Sequence, residues 1–156
     1  MDKTKSPGIR FERIDLLECN VGHVNVEAKL AYNLSLVELT RQVTEKGDRL
    51  MVMMGFDLMK GIKEPPFSFH CLFLAHYAKD QQHPNMDWNE FTDAMALAHA
   101  MPFVRELLSN ITNRLPLPVL MLSPVNVFEL IEKYKAAKES PGKPAATRSC
   151  EGQDKA

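Results

Sequence analysis

Cysteine is scarce and odd in number in this chain of 156 residues: there are three, Cys19, Cys71 and Cys150, far apart in sequence. Such a set gives no disulfide framework and suits a reducing compartment. There is no Cys-x-x-Cys pair, no Gly-rich phosphate loop and no nucleophile elbow of the Gly-x-Ser-x-Gly type. No apolar run approaches the roughly 18 residues that a membrane-crossing helix needs. The start, "MDKTKSPGIR", carries charge without an apolar stretch behind it. The expectation is a cytoplasmic protein, neither secreted nor inserted in a membrane. An excess of one charge is missing too, since Lys+Arg number 19 and Asp+Glu 20, for a formal net charge of −1. Residues 135–156 hold five basic and three acidic side chains, which leaves −3 for residues 1–134. That is no footprint for nucleic acid.

Apolar residues at 45% and charged residues at 25% are those of a globular chain long enough to bury one core. Phe11–Val21 is apolar-rich and reads as a strand. From Val24 to Leu36 apolar residues alternate with Asn25, Glu27, Lys29, Asn33 and Ser35, a period of two that predicts a half-buried strand. "VELTRQVTEKGD" keeps β-branched residues up to a turn at Gly47 and Asp48. Leu50–Lys60 is apolar on both faces in its first half, with Leu50, Val52 and Met54 against Met51 and Met53. After Pro65 and Pro66, one side of the next strand carries Phe67, Phe69, Cys71, Phe73, Ala75 and Tyr77. Short connections between four strands predict an antiparallel sheet, because parallel strands need long crossovers.

Asp87 and Glu90 have the spacing of a capping box and predict a helix start. Beyond it Ala94, Met101, Val104, Leu108, Ile111 and Leu115 fall on one helical face, an apolar stripe that needs a sheet or a partner. Pro102 lies inside this pattern and predicts a kink or a break into two helices. "LPLPVLMLSPVN" is punctuated by proline and reads as extended, and "VNVFELIEKYKAAK" as a second, shorter amphipathic helix. Residues 1–8 read as a flexible start, 9–134 as one domain, and 135–156 as a helix end followed by a disordered tail.

Candidate chemistry is thin. His70 and Cys71 are neighbours and point to opposite faces of a strand, while His70 and His76 share a face about 20 Å apart. Neither pair can chelate a metal from one strand, so no metal or cofactor is expected, and structural or surface roles suit the histidines best. Four methionines, Met51, Met53, Met54 and Met59, stand within nine positions. Their plain role is to fill an irregular core. Their other role is a repackable surface, because three rotatable bonds and a polarizable sulfur adapt to ligands of different shape.

The stretch "AMPFVRELLSNITNRLPLPVLMLSPVNVFEL", residues 100–130, resembles the C-terminal half of the SecB family of bacterial chaperones. Met101, Pro102, Phe103, Arg105 and Glu106 match the apolar-Pro-aromatic-x-Arg-Glu element of its long helix. Pro118, Leu120, Leu122, Pro124, Val125, Asn126 and Phe128 match the proline-flanked stretch and the start of the last helix, with Val127 where an aromatic is usual. Upstream the likeness is one of layout, four strands before a long helix, so that it spans Ile9 to Tyr134 and is specific only after Ala98. The resemblance implies an α+β fold: a four-stranded antiparallel sheet with a long kinked helix and a shorter second helix on one face. It further implies a homotetramer built as a dimer of dimers, and an ATP-independent holdase that keeps preproteins or similar clients unfolded in long apolar grooves. Peptide-binding side chains would be Met51, Met53, Met54, Phe56, Met59 and Met101. Pro102, Phe103, Arg105 and Glu106 would serve the helix motif or an oligomer interface.

Two departures bear on partners. The acidic run expected after the first strand is replaced by "KLAYNLSL", which speaks against docking to the SecA motor, and the Gly-rich element usual after the fourth strand is replaced by "KDQQHPNMDWNE". Solitary SecB-like chaperones that work with toxin–antitoxin systems fit these departures about as well as export chaperones do, and both subtypes stay open. Competing expectations are an adaptor that keeps the scaffold for a single partner such as an antitoxin, and an enzyme whose side chains converge around Asp57, His70 or His76. The expectation adopted is a non-enzymatic chaperone.

Overall fold

Four strands, β1 (Ile9–Gly22), β2 (Ser35–Val43), β3 (Arg49–Asp57) and β4 (Ser68–Lys79), form one antiparallel sheet in the order β1-β4-β3-β2. The computed structural model describes residues 8–80 and 87–139. A 3-10 turn at Trp88–Glu90 leads into α1 (Asp93–Thr112), and a turn followed by an extended connector leads to α2 (Val127–Glu139). The fold is α+β, with a four-stranded antiparallel sheet and two helices packed on one face.

Period-two patterning decides which face is covered. Opposite residues Leu50 and Tyr77, Val52 and Ala75, Met54 and Phe73, and Phe56 and Cys71 make four rows across β3 and β4, all buried beneath the helices. Fully burying a large apolar side chain contributes roughly 1.5–3 kcal/mol, so these rows and the helix residues Leu97, Met101, Val104 and Leu108 hold the two layers together. On the other face Met51, Met53, Leu72, Leu74 and His76 are only half-buried. Burial on both faces of β3 is thus complete on one side and partial on the other.

A strand over residues 24–36 does not form. β1 ends at Gly22, His23 adopts φ 52°, and residues 23–34 run as a loop before β2 begins at Ser35. Strand order explains it: β1 and β2 occupy opposite edges, so their connection must cross about 14 Å of sheet at ~4.8 Å per strand spacing. The loop is tied down on the way, by Asn25 N–H to the Pro66 carbonyl at 2.7 Å and Asn33 N–H to the Leu58 carbonyl at 2.7 Å.

The helix start also differs from the expected capping box. Asp87 accepts from the Asn89 N–H at 3.0 Å and caps only the 3-10 turn, while Thr92 is the N-cap of α1. Phe91 in extended conformation separates the two. Arg41 of β2 docks this junction through Asp93 at 3.1 Å and the Trp88 carbonyl at 2.8 Å. Trp88 Nε1 in turn donates to the Gly47 carbonyl at 2.9 Å, clamping the 3-10 turn onto the β2–β3 hairpin. Pro102 does not break α1, which runs through it. Both Pro102 and Ala98, whose carbonyl loses its helical donor, lie on the exposed side, where water can take that carbonyl. Residues 1–7 of the start read as flexible, residues 81–86 of "KDQQHPNMDWNE", and the tail from residue 140 read as disordered lie outside the described residues.

Candidate functional site

An open trough runs where the 23–34 loop, the first residues of β2, the connector and α2 meet. One part, about 180 Å³, is lined by Tyr32, Leu34, Ser123, Val125, Asn126 and Leu130. The other, about 320 Å³, continues past Leu34, Leu36, Leu130, Tyr134 and Ala137. Leu34, Leu130 and Lys133 belong to both, so the two form one groove. Its floor is apolar and its rim polar, with Asn33, Ser35, Asn126, and Lys133 paired to Glu129 at 2.7 Å. Such lining gives grip through burial and leaves few directional demands.

The walls are set by specific bonds. In the connector Leu120 and Leu122 are buried while Val119 and Met121 are exposed, 71% for Met121, so this extended segment alternates like a strand. Thr112, a fully buried hydroxyl, fixes where the connector leaves α1. Its hydroxyl donates to the Leu108 carbonyl at 2.9 Å and accepts the Leu120 N–H at 3.0 Å. Across the trough the Tyr32 hydroxyl lies 3.2 Å from Ser123 Oγ and accepts the Ser123 N–H at 3.3 Å, joining the loop to the connector. Both contacts with Ser123 hold the phenol below its ordinary pKa. Tyr134 of α2 accepts the Leu39 N–H at 3.1 Å and so covers part of the β2 edge.

The six apolar residues expected to bind peptide do not come together. Met54 and Phe56 are fully enclosed in the core, and Met101 is buried on α1 beneath the sheet. Met51 and Met53 project half-buried from the uncovered face of the sheet. Met59 is buried at the end of β3, where it lines a separate pocket of about 290 Å³. Of the helix motif, Pro102 and Glu106 are exposed, Phe103 is 36% exposed with its ring 6.2 Å from Phe11, and Arg105 is half-buried. Arg105 and Glu106 thus meet different surroundings. The groove is instead lined by Tyr32, Leu34, Leu130 and Tyr134, which were not among the expected residues; the signal that could have pointed to Leu130 and Tyr134 is the apolar face of the second amphipathic helix.

The pocket beside Met59 includes Asp57 and His70, which face each other across β3 and β4, together with Asn20, Lys60 and Ser68. Asp57 accepts the Met59 N–H at 2.9 Å, a turn-forming bond at the strand end. His76 lies elsewhere, 2.9 Å from Asp15 on β1. Around α1 an aromatic cluster joins Phe11, Tyr77, Phe91, His99 and Phe103. Tyr77 is fully buried there, and desolvation pushes its phenol above the ordinary range. No group of three or more His, Cys, Asp or Glu placed to hold a metal occurs among the described residues, and no described helix is long and apolar enough to cross a membrane.

A single sheet covered on one face by two helices, with an open apolar groove beside one sheet edge, defines the class of this molecule: a sheet-and-helix α+β scaffold. Within that class the fold is SecB-like. The chain superimposes on the Rv1957 SecB-like chaperone of Mycobacterium tuberculosis, solved in complex with a ChAD peptide from the Rv1956 HigA1 antitoxin, with a TM-score of 0.60 and 17% sequence identity over 76% of this chain and 91% of that one. A protein of unknown function from Streptococcus agalactiae overlaps with a TM-score of 0.46 and 16% identity over 74% of this chain and 97% of that one. No protein-family model and no curated protein matches the sequence.

Proposed function

We propose that this protein is an ATP-independent holdase chaperone that binds unfolded polypeptides in the groove between Tyr32, Leu34, Leu130 and Tyr134. The observation that carries the reading is the open groove itself, floored by Leu34, Val125, Leu130 and Tyr134, on segments that also expose Val26, Leu30, Val119, Met121 and Phe128. Scattered single apolar residues are ordinary on a surface, but an open groove with an apolar floor suits the burial of apolar client side chains. An extended client would lay alternate side chains on the groove floor and leave its backbone to the polar rim and water. Clients would be preproteins or other non-native chains in the cytoplasm, held without nucleotide or metal.

Binding at one such groove is weak, and linked sites on a homotetramer, a dimer of dimers, would multiply it for a long client.

The second reading is an adaptor for one partner, and the antitoxin-derived peptide in the Rv1957 complex favours it. Fluorescence anisotropy separates the two. A labelled polypeptide is titrated with the protein once unfolded and once folded, beside several unrelated unfolded sequences. The holdase binds every unfolded chain with similar affinity and ignores the folded one. Selectivity for a single sequence supports the adaptor, and binding to none rejects both.

A further inference from the structure

We propose that Cys19 and Cys71 form a redox-modification site, a dithiol that takes up a cross-strand disulfide by exchange with low-molecular-weight disulfides. The two residues are direct partners in the β1–β4 ladder. Opposite residues of an antiparallel pair have Cα atoms roughly 4.5–5.5 Å apart and side chains on the same face, inside the roughly 4.4–6.8 Å window of disulfides. A bulge creates this pairing. Leu16 opposes Phe73 and Glu18 opposes Leu72, so the extra residue, Leu17, shifts β1 by one position. Without it Glu18, not Cys19, would face Cys71.

Access differs between the two thiols, and this orders the chemistry. Cys19 is exposed on the edge strand, whereas Cys71 is wholly buried in the row with Phe56. In the free protomer a dissolved disulfide RSSR can therefore meet only Cys19, and a second copy paired along β1 would shield it until the two separate. The Cys19 thiolate attacks one sulfur of RSSR, the S–S bond breaks, and RS⁻ leaves with the electron pair. The Cys71 thiolate then attacks the Cys19 sulfur of the mixed disulfide and expels a second RS⁻. Two thiols are oxidised, one RSSR is reduced to two RSH, and the two protons from the protein thiols end on the released thiolates. Solvent access to Cys71 is not needed, since its target is the opposite residue. Burial pushes the Cys71 thiol up to about 12, so ring closure should accelerate about tenfold per unit of pH through the neutral range.

The full chain carrying Cys150→Ser, diluted until it sediments as a single protomer, tests this with oxidised glutathione as the probe. Intact mass should fall by two hydrogens, both remaining thiols should resist maleimide, and a digest should yield a Cys19–Cys71 linked peptide that dithiothreitol separates. Adding Cys71→Ala should arrest the reaction at a stable glutathione adduct on Cys19. Adding Cys19→Ser instead should leave Cys71 unmodified in the folded protein. The proposal is overturned by a persistent adduct on Cys19 while Cys71 is present, by disulfides between two copies of Cys19, or by Cys71 reacting without Cys19. Should Cys71→Ala fail to fold, the mass and linkage in the Cys150→Ser protein decide alone.

Discussion

Thr112 shows how one buried hydroxyl can set the course of a groove wall. Thr112→Val keeps the shape but removes the donor to Leu108 and leaves the Leu120 N–H buried without its acceptor. An unsatisfied buried amide costs about 1–3 kcal/mol, so urea unfolding should show a loss of that size. Hydrogen exchange at the Leu120 amide should speed up by a larger factor than exchange in the centre of β3; equal acceleration at both would show that Thr112 supports global stability only. Asp48 offers a pH-dependent counterpart in the β2–β3 turn. The Thr44 hydroxyl donates to its carboxylate at 2.8 Å and holds its pKa below the ordinary value. Because the folded pKa is depressed, the contribution is present above the unfolded pKa and is lost as pH falls through the folded one. Thr44→Ala should move the Asp48 carboxyl resonance titration back up toward the ordinary aspartate range. An unmoved titration would assign the shift to Lys46 and Arg49 instead.

The crossing between β1 and β2 decides where the groove lies, and it is where sequence patterning fell short. Strand patterning over Phe67–Tyr77 was fully legible, since every residue on its apolar side is buried. The long helix was legible in large part, since Ala94, Met101, Val104 and Leu108 of its expected face are buried while Ile111 and Leu115 are half-buried and Leu115 lies past its end, and the antiparallel four-strand architecture was legible too. The alternation of Val24–Leu36 misled because period two reports an extended chain with two unlike faces and says nothing about its neighbours. β2 is disguised in turn, since Arg41 on its covered side serves as a dock for α1. Binding residues were harder still: Met54 and Met53 differ by one position, yet one is core and the other faces outward. The groove arises from elements distant in sequence, Tyr32 and Ser123 above all, and no local pattern encodes that contact. Tyr32→Phe removes both of its bonds to Ser123 while keeping the ring. These bonds are solvent-exposed, so the thermal midpoint should hardly move, whereas the loop and connector should separate and affinity for an unfolded client should change several-fold. Unchanged anisotropy titrations for this variant would place client binding elsewhere, with the uncovered face bearing Met51 and Met53 as the next region to mutate.

Assembly is a property of the whole molecule, and its apolar surface argues for one. β1 is a 14-residue edge strand on which Leu16, Leu17 and Val21 are 46%, 51% and 36% exposed. Met95 and Phe103 of α1 add apolar surface, with Phe103 joined to the same edge through Phe11. A long edge with apolar side chains is a template for pairing unless something covers it, and a second copy of the chain would cover it symmetrically. The charges on this strand, Arg10, Glu12, Arg13, Asp15 and Glu18, would then restrict which edge can approach, since like charges set opposite one another cost energy. Placing glutamate at Phe103 and lysine at Leu17 puts unpaired charges into such an interface, at a cost of several kcal/mol, enough to dissociate it at micromolar concentration. Sedimentation velocity should then show the Phe103→Glu, Leu17→Lys protein as a smaller species than the parent. Circular dichroism should be nearly unchanged, because both residues are substantially exposed in the protomer. Long clients should lose affinity more than short ones, since only long chains span several grooves. A variant that keeps the parent's size would remove this edge from the interface, and a parent that sediments as a monomer would leave the groove to act alone.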